Sequence, residues 1–171
     1  VYANGGIAFL LSIIYFLNND PVYIYLFASS VAAAMSDTWG TEFGKLSRHK
    51  PISITSLKSI DHGISGGITR IGTLGSLLGS SIIGFSTWMM IPIPAHIIYG
   101  IILSGFLSSL FDSILGDMVQ GKYKNQNGEI IEVKEKDSVL IKGYPWMSND
   151  LVNLLNTTFS PLILYTIILL Y

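Results

Sequence analysis

Asp37 and Asp112 each lie near the end of a long apolar stretch. Each is followed directly by a hydroxyl residue, Thr38 or Ser113, and five positions on by a second acid, Glu42 or Asp117. A carboxylate in the middle of a bilayer costs roughly 2.5–3.5 kcal/mol on the insertion scale, so an acid kept in such a stretch marks a site. Carboxylates arriving from two segments suit a divalent cation. Mg²⁺ takes one or two protein carboxylates and completes its shell with water and substrate phosphates. Asp37, Glu42, Asp112 and Asp117 are therefore the candidate metal ligands, and the chemistry they imply is phosphate chemistry. Five residues turn a helix by about 140°. The two acids of each pair share a face only where the helix unwinds, which Gly40, Gly44 and Gly116 would permit. The competing reading of Glu42 and Asp117 is that they sit in headgroup water.

A second set of residues suits anions. Between Lys45 and Arg70 runs a loop rich in hydroxyls and cations, with Ser47, Thr55, Ser56 and Lys58, leading into His62-Gly63-Ile-Ser65-Gly66-Gly67. Glycines let backbone N–H groups approach an anion closely, and a helix start just beyond adds a favourable dipole. Lys58 and Arg70 could neutralise phosphates. The competing reading is topological, since a basic loop needs no ligand. Asn149, Asn153 and Asn156 fall on one helical face next to Asp150, where their amides could meet a nucleotide, a metal's waters or a neighbouring helix. Gly116-Asp-Met-Val-Gln-Gly121-Lys122-Tyr123 nearly spells a phosphate-binding loop. It ends in Tyr rather than Ser or Thr and follows an apolar helix rather than a strand, so it is set aside as coincidence.

These residues must be positioned by apolar segments. The chain has 171 residues, half of them hydrophobic, and 12% charged against about 25% in a soluble domain. Five apolar segments can be read: Val1 to Leu17, Val22 to Phe43, Arg70 to Met90, Ala95 to Val119 and Leu151 to Tyr171. Asn18-Asn-Asp-Pro21 and Ile91-Pro-Ile-Pro94 punctuate them. Gly72, Gly75, Gly79 and Gly84 are read as close-packing positions. A hydrophilic insert covers Gln120 to Asp150. Its β-rich runs, Glu129–Lys134 and Ser138–Lys142, predict a small hairpin, and the insert is too short to be a domain of its own. The expectation is an all-α, polytopic transmembrane helix bundle with a small cytoplasmic β-hairpin insert, forming a single membrane domain over residues 1–171.

Five of the ten Lys and Arg lie from Lys45 to Arg70 and the other five from Lys122 to Lys142. Threading five spans puts all ten on one face, which the positive-inside rule makes cytoplasmic. The same threading brings Asp37, Asp112, the glycine loop and the start of the fifth segment to that face. The absence of Cys excludes disulfides and thiolate chemistry, and a net charge of −1 offers nothing to nucleic acid. The first residue is Val and no basic leader precedes the first apolar run, so further N-terminal spans are expected upstream.

Several motifs in order resemble a known family: Ala-Asn4-Gly-Gly, Ser-Asp37-Thr-Trp-Gly-Thr-Glu42-Phe-Gly-Lys-Leu-Ser47, Ile54-Thr-Ser-Leu-Lys58, Gly63-Ile-Ser-Gly66-Gly67-Ile-Thr, Asp112-Ser-Ile-Leu-Gly116 and Asn149-Asp-Leu-Val-Asn153-Leu. Together they are similar to the integral membrane family that includes plant phytyl-phosphate kinase. The resemblance implies an Mg²⁺-dependent transfer of a phosphoryl group from a nucleoside triphosphate, with CTP the expected donor, to a prenyl monophosphate at the cytoplasmic side of the cell membrane. It implies catalytic roles for Asp37, Asp112 and Lys58. It implies substrate contacts from Asn4, Thr38, Ser47, Thr55, Ser56, Gly63, Ser65, Gly66, Gly67, Arg70, Ser113, Asn149, Asp150 and Asn153. Asp117 fits the family pattern less well than the other acids. The rival readings are a CTP-dependent prenol kinase or cytidylyltransferase-like enzyme, and a cation or lipid-phosphate transporter. Oligomeric state is left open.

Overall fold

The computed structural model describes residues 2–171, so the expected start of the first segment at Val1 lies outside the described residues. Five helices form where the apolar segments predict them. They are α1 (Tyr2–Asn18), α2 (Pro21–Lys45), α3 (Arg70–Met90), α4 (Ala95–Met118) and α5 (Asn149–Leu170). Their boundaries have local causes. Asp20 caps α2 by accepting from Val22 N, with Pro21 in the first turn. Thr69 accepts from Gly72 N at the start of α3, and Ser148 accepts from Leu151 N at the start of α5. The Ile91-Pro-Ile-Pro94 break ends α3 and starts α4.

Helix α2 sits at the centre and packs against the other four. The packing is inverted relative to a soluble bundle. Ser29, Ser30, Ser36, Ser80, Ser104, Ser108, Thr157 and Ser160 are buried, while Phe9, Leu74, Leu78, Phe85, Leu103 and Leu162 face outward. The inward hydroxyls satisfy one another: Ser29 Oγ bonds Ser104 Oγ at 2.8 Å and Ser160 Oγ at 2.7 Å, and Ser36 Oγ donates to Ser76 O at 2.8 Å. Where the surroundings are lipid, burying apolar side chains gains little, so helices associate through small residues and polar bonds. Gly75 and Gly79 show how close α3 comes to α2, since a Cβ on either would stand 2.8 Å from a backbone oxygen of Trp39 or Met35. An apolar cluster around Leu26, Ala32, Ile97, Ile101 and Leu164 fills the bundle toward the α3–α4 turn. Helices α4 and α5 are long and apolar enough to cross a membrane, and α1 is a shorter apolar helix.

The connections contain small antiparallel sheets. In the loop after α2, β1 (Ile52–Ser53) pairs with β2 (Gly67–Ile68). The insert differs from the expected hairpin. Its strands are β3 (Lys122–Lys124), β4 (Ile130–Ile131) and β5 (Val139–Lys142), in the order β4-β3-β5. The two runs expected to pair with each other instead flank β3, because the chain leaving α4 runs extended and offers both of its edges. A second correction concerns α2. It does not unwind at Gly40 but stays helical through Lys45, so Asp37 and Glu42 point in different directions.

Candidate active site

The ends of α2 and α4, the starts of α3 and α5, and the β1–β2 loop enclose a cleft of about 280 Å³. Asp37 enters it from α2 and Asp112 from α4. Their carboxyl groups face each other within hydrogen-bonding reach. Beside them, the hydroxyl oxygens of Ser36 on α2 and Ser109 on α4 lie 3.1 Å apart and mark the close approach of the two helices. Thr41 and Lys45 of α2, Thr73 and Ser76 of α3, Ser113 of α4 and Asn149 at the start of α5 complete the helical walls.

Two like charges converging in a low-dielectric cleft repel unless a cation or proton lies between them. Asp112 Oδ2 is buried with no hydrogen-bond partner. A buried, unpartnered carboxylate oxygen in a cleft that holds a second carboxyl group fits a divalent cation such as Mg²⁺, which needs only one or two protein carboxylates when phosphates supply the rest. The four-acid metal set does not assemble, and among the described residues no group of three or more acids and histidines is placed to hold a metal. Glu42 is exposed and pairs with Lys45 at 2.6 Å.

Asp117 has a different role. Its buried carboxylate accepts from Ser53 Oγ, from Thr55 N and Oγ1, and from Lys142 Nζ at 2.7 Å. It ties the β1–β2 loop and the insert to the end of α4. Buried Lys122 lies 3.7 Å from the same carboxylate. Burial pulls the Lys122 ammonium below the usual lysine range, opposed by the charges of Asp117 and Glu132.

The glycine loop lies over the cleft. Gly63, Ser65, Gly66 and Gly67 all line it, with His62 beside them. Gly66 has φ +85°, and a Cβ there would stand 2.3–2.6 Å from the Asp117 backbone and Cβ. Only glycine permits both the left-handed turn and this approach. From the insert comes a residue that sequence spacing did not flag. Glu132 lines the cleft and accepts from Ser65 N at 2.6 Å and Ser65 Oγ at 2.7 Å. It is a lone acid between hydrophobic residues at the edge of a sheet, and only the fold brings it near Ser65.

The structure therefore brings together Asp37, Asp112, Gly63, Ser65, Gly66, Gly67, Ser113 and Asn149. Other expected residues stand outside the cleft lining. Thr38, Thr55, Ser56, Lys58, Arg70 and Asp150 are exposed. Ser47 turns back to bond His49 O. Asn4 lies half-buried on α1 and Asn153 is buried in α5 below the first turn. Thr41, Thr69, Thr73, Ser76 and Ser109 line the cleft without having stood out in the sequence, because hydroxyls facing inward and outward look alike before the helix faces are assigned.

A bundle with hydroxyls inside, aliphatic side chains outside and a carboxylate pair at one end is that of a membrane protein. The chain belongs to the family described as Integral membrane protein DUF92, whose model matches residues 1–160. This is the family that the ordered motifs resemble. The chain is 34% identical over 122 residues to an uncharacterized membrane protein of Methanocaldococcus jannaschii, covering 71% of this chain and 50% of the relative. It is 31% identical over 107 residues to Protein PGR of Arabidopsis thaliana, covering 52% of this chain and 35% of the relative. It is 26% identical over 166 residues to Protein VTE6, chloroplastic, of the same plant, covering 95% of this chain and 40% of the relative. The chain thus spans half or less of the length of these relatives. No solved structure matches it.

Proposed function

We propose that the chain carries the catalytic cleft of an integral membrane prenyl-phosphate kinase, which moves the γ-phosphoryl group of a nucleoside triphosphate, with CTP the expected donor, onto a prenyl monophosphate. The observation that carries this reading is the convergence of Asp37 and Asp112 beneath the Gly63–Gly67 loop. All five helices cross the membrane in this reading, with the cleft at the cytoplasmic face of the cell membrane. The one-sided distribution of the ten basic residues supports that orientation.

Phosphoryl transfer asks a protein mainly for positioning and charge neutralisation. Asp37 and Asp112 would hold Mg²⁺, which when bound neutralises triphosphate oxygens. The glycine loop offers backbone donors to phosphate, and Lys45 is the cation that lines the cleft. A non-bridging oxygen of the acceptor phosphate attacks the γ-phosphorus, and the bond to the β–γ bridging oxygen breaks, releasing the nucleoside diphosphate. An acceptor that is already an anion needs no strong base, which suits a cleft whose one imidazole, that of His62, lies with the loop. The outward aliphatic faces of the helices suit a substrate whose prenyl chain stays in lipid.

The test is incubation of the purified full-length protein with Mg²⁺, γ-labelled CTP or ATP, and a panel of prenyl alcohols and monophosphates. Phytyl or geranylgeranyl monophosphate should yield the diphosphate, with the alcohols inert. Faster labelling of an alcohol would overturn the reading in favour of a prenol kinase, and transfer of the nucleotide rather than the γ-label in favour of a cytidylyltransferase.

A further inference from the structure

Glu132 reaches the cleft from the insert, at the residue after β4, the outer strand of the β4-β3-β5 sheet. Its carboxylate takes the Ser65 amide at 2.6 Å, the Ser65 hydroxyl at 2.7 Å and Gln120 Nε2 at 2.9 Å. The buried Lys122 ammonium donates to Ser65 O at 2.7 Å alongside. The three groups that bond the Glu132 carboxylate are all donors, and the Lys122 ammonium beside them also lies 3.7 Å from the Asp117 carboxylate. A backbone N–H and a hydroxyl converging on two oxygens of one anion, next to a glycine at φ +85°, is the donor arrangement that receives a phosphoryl group. We propose that Ser65 N and Oγ, Gln120 Nε2 and Lys122 form a phosphoryl-binding subsite that Glu132 fills in the resting protein, and that an incoming phosphate binds by displacing the Glu132 carboxylate.

The insert is built to permit this. Its opposite edge is anchored, because Lys142 of β5 is held by Asp117. Its β4 edge is two residues long, and residues 133–137 beyond Glu132 are exposed. Withdrawing Glu132 therefore moves a short outer strand and leaves the Asp117 clasp in place. What the displacement leaves behind is a cluster of donors beside Lys122, more attractive to an anion than the resting cleft. That the displacing anion is a substrate phosphate rests on the phosphotransferase reading, whereas the subsite itself rests on the Ser65 geometry alone.

Binding of inorganic tripolyphosphate to the full-length protein in detergent, measured by calorimetry, tests the subsite without requiring turnover. Glu132→Gln and Glu132→Ala should each bind about tenfold more tightly than wild type, the equivalent of releasing one charge-assisted hydrogen-bonded competitor. Hydrogen exchange in the wild type should rise across residues 129–136 when tripolyphosphate binds, and Ser65→Ala should weaken binding. Equal or weaker binding by both Glu132 variants, added protection of residues 129–136, or no binding by any of the proteins would each overturn the proposal. The exchange arm uses the wild type, so it decides even where a variant folds poorly. Tighter tripolyphosphate binding without any use of prenyl monophosphates supports the subsite and counts against the phosphotransferase reading alone.

Discussion

Replacing Asp112 with Asn should make the protein more stable and catalytically dead. With neither a cation nor a proton between them, as in chelator at alkaline pH, the two carboxylates of the cleft repel each other, and Asp112 Oδ2 has no partner. Two unit charges 4 Å apart interact by about 4 kcal/mol at an effective dielectric constant of about 20. Water in an open cleft screens part of this, leaving about 2 kcal/mol as the relief expected when one charge is removed. The Asn amide keeps the shape and can donate to Asp37. About 1 kcal/mol moves Tm by roughly 2–4 °C for a chain of this size, so Asp112→Asn should raise Tm by about 4–8 °C in chelator. Mg²⁺ should raise the wild-type Tm and leave the variant unmoved, because one of the two anionic ligands is gone. Turnover should fall by more than tenfold, a loss exceeding about 1.4 kcal/mol of transition-state stabilisation. Asp37→Asn should behave in the same way. Thermal unfolding of the detergent-purified protein with Mg²⁺ or chelator, next to the labelled-nucleotide assay, reads all three quantities. A variant that melts below wild type in chelator, or that keeps its Mg²⁺ response and more than about a tenth of kcat, would refute the reasoning.

Three further outcomes follow from the same cleft. Gly66→Ala combines a disfavoured φ with overlap against the Asp117 backbone; at about 1–3 kcal/mol for each effect, it should detach the glycine loop and abolish turnover while the helix content measured by circular dichroism is retained. Lys45→Ala should raise the nucleotide KM by about tenfold, one charge-assisted contact's worth, whereas Lys58→Ala, outside the cleft lining, should stay within about threefold; kinetics showing the reverse order would return the phosphate role to Lys58. Lys50→Cys, in a chain without native cysteine, should resist an impermeant thiol reagent added outside intact cells and react after lysis; labelling from outside would overturn the orientation.

How much of this was legible in the sequence depended on the signal each element sends. Helix positions were legible because the breaks at Asn18–Pro21 and Ile91–Pro94 are marked chemically, and because apolar runs of membrane length admit few alternatives; the caps at Thr69 and Ser148 emerged only with the structure. Asp37 and Asp112 stood out because an acid in such a run is expensive. The glycine loop stood out because three glycines within five residues leave the backbone open. Strand pairing in the insert was not legible. Runs of two to four residues carry no register, and β3, in a stretch of the insert where no strand was expected, turned out to be the centre of the sheet. Nor was the separation of the four acids legible. Asp117 reads like Glu42 in spacing, yet one is buried among Ser53, Thr55 and Lys142 while the other sits in the open against Lys45.

Asp117 and Glu132 together explain why a hydrophilic insert belongs to a membrane site. Membrane helices place side chains well along their length, but the cleft here needs a wall where the helices end. The β1–β2 loop supplies that wall and has little of its own to hold it, with two paired residues per strand. The insert holds it from both sides: Lys142 through Asp117 to Ser53 and Thr55, and Glu132 through Ser65. One tie is buried and made to a carboxylate with no other task. The other lies at the cleft surface, on donors that a phosphate would also want. A wall fixed at one edge and held at the other by an exchangeable anion can register an arriving phosphate without disturbing the helices that carry Asp37 and Asp112.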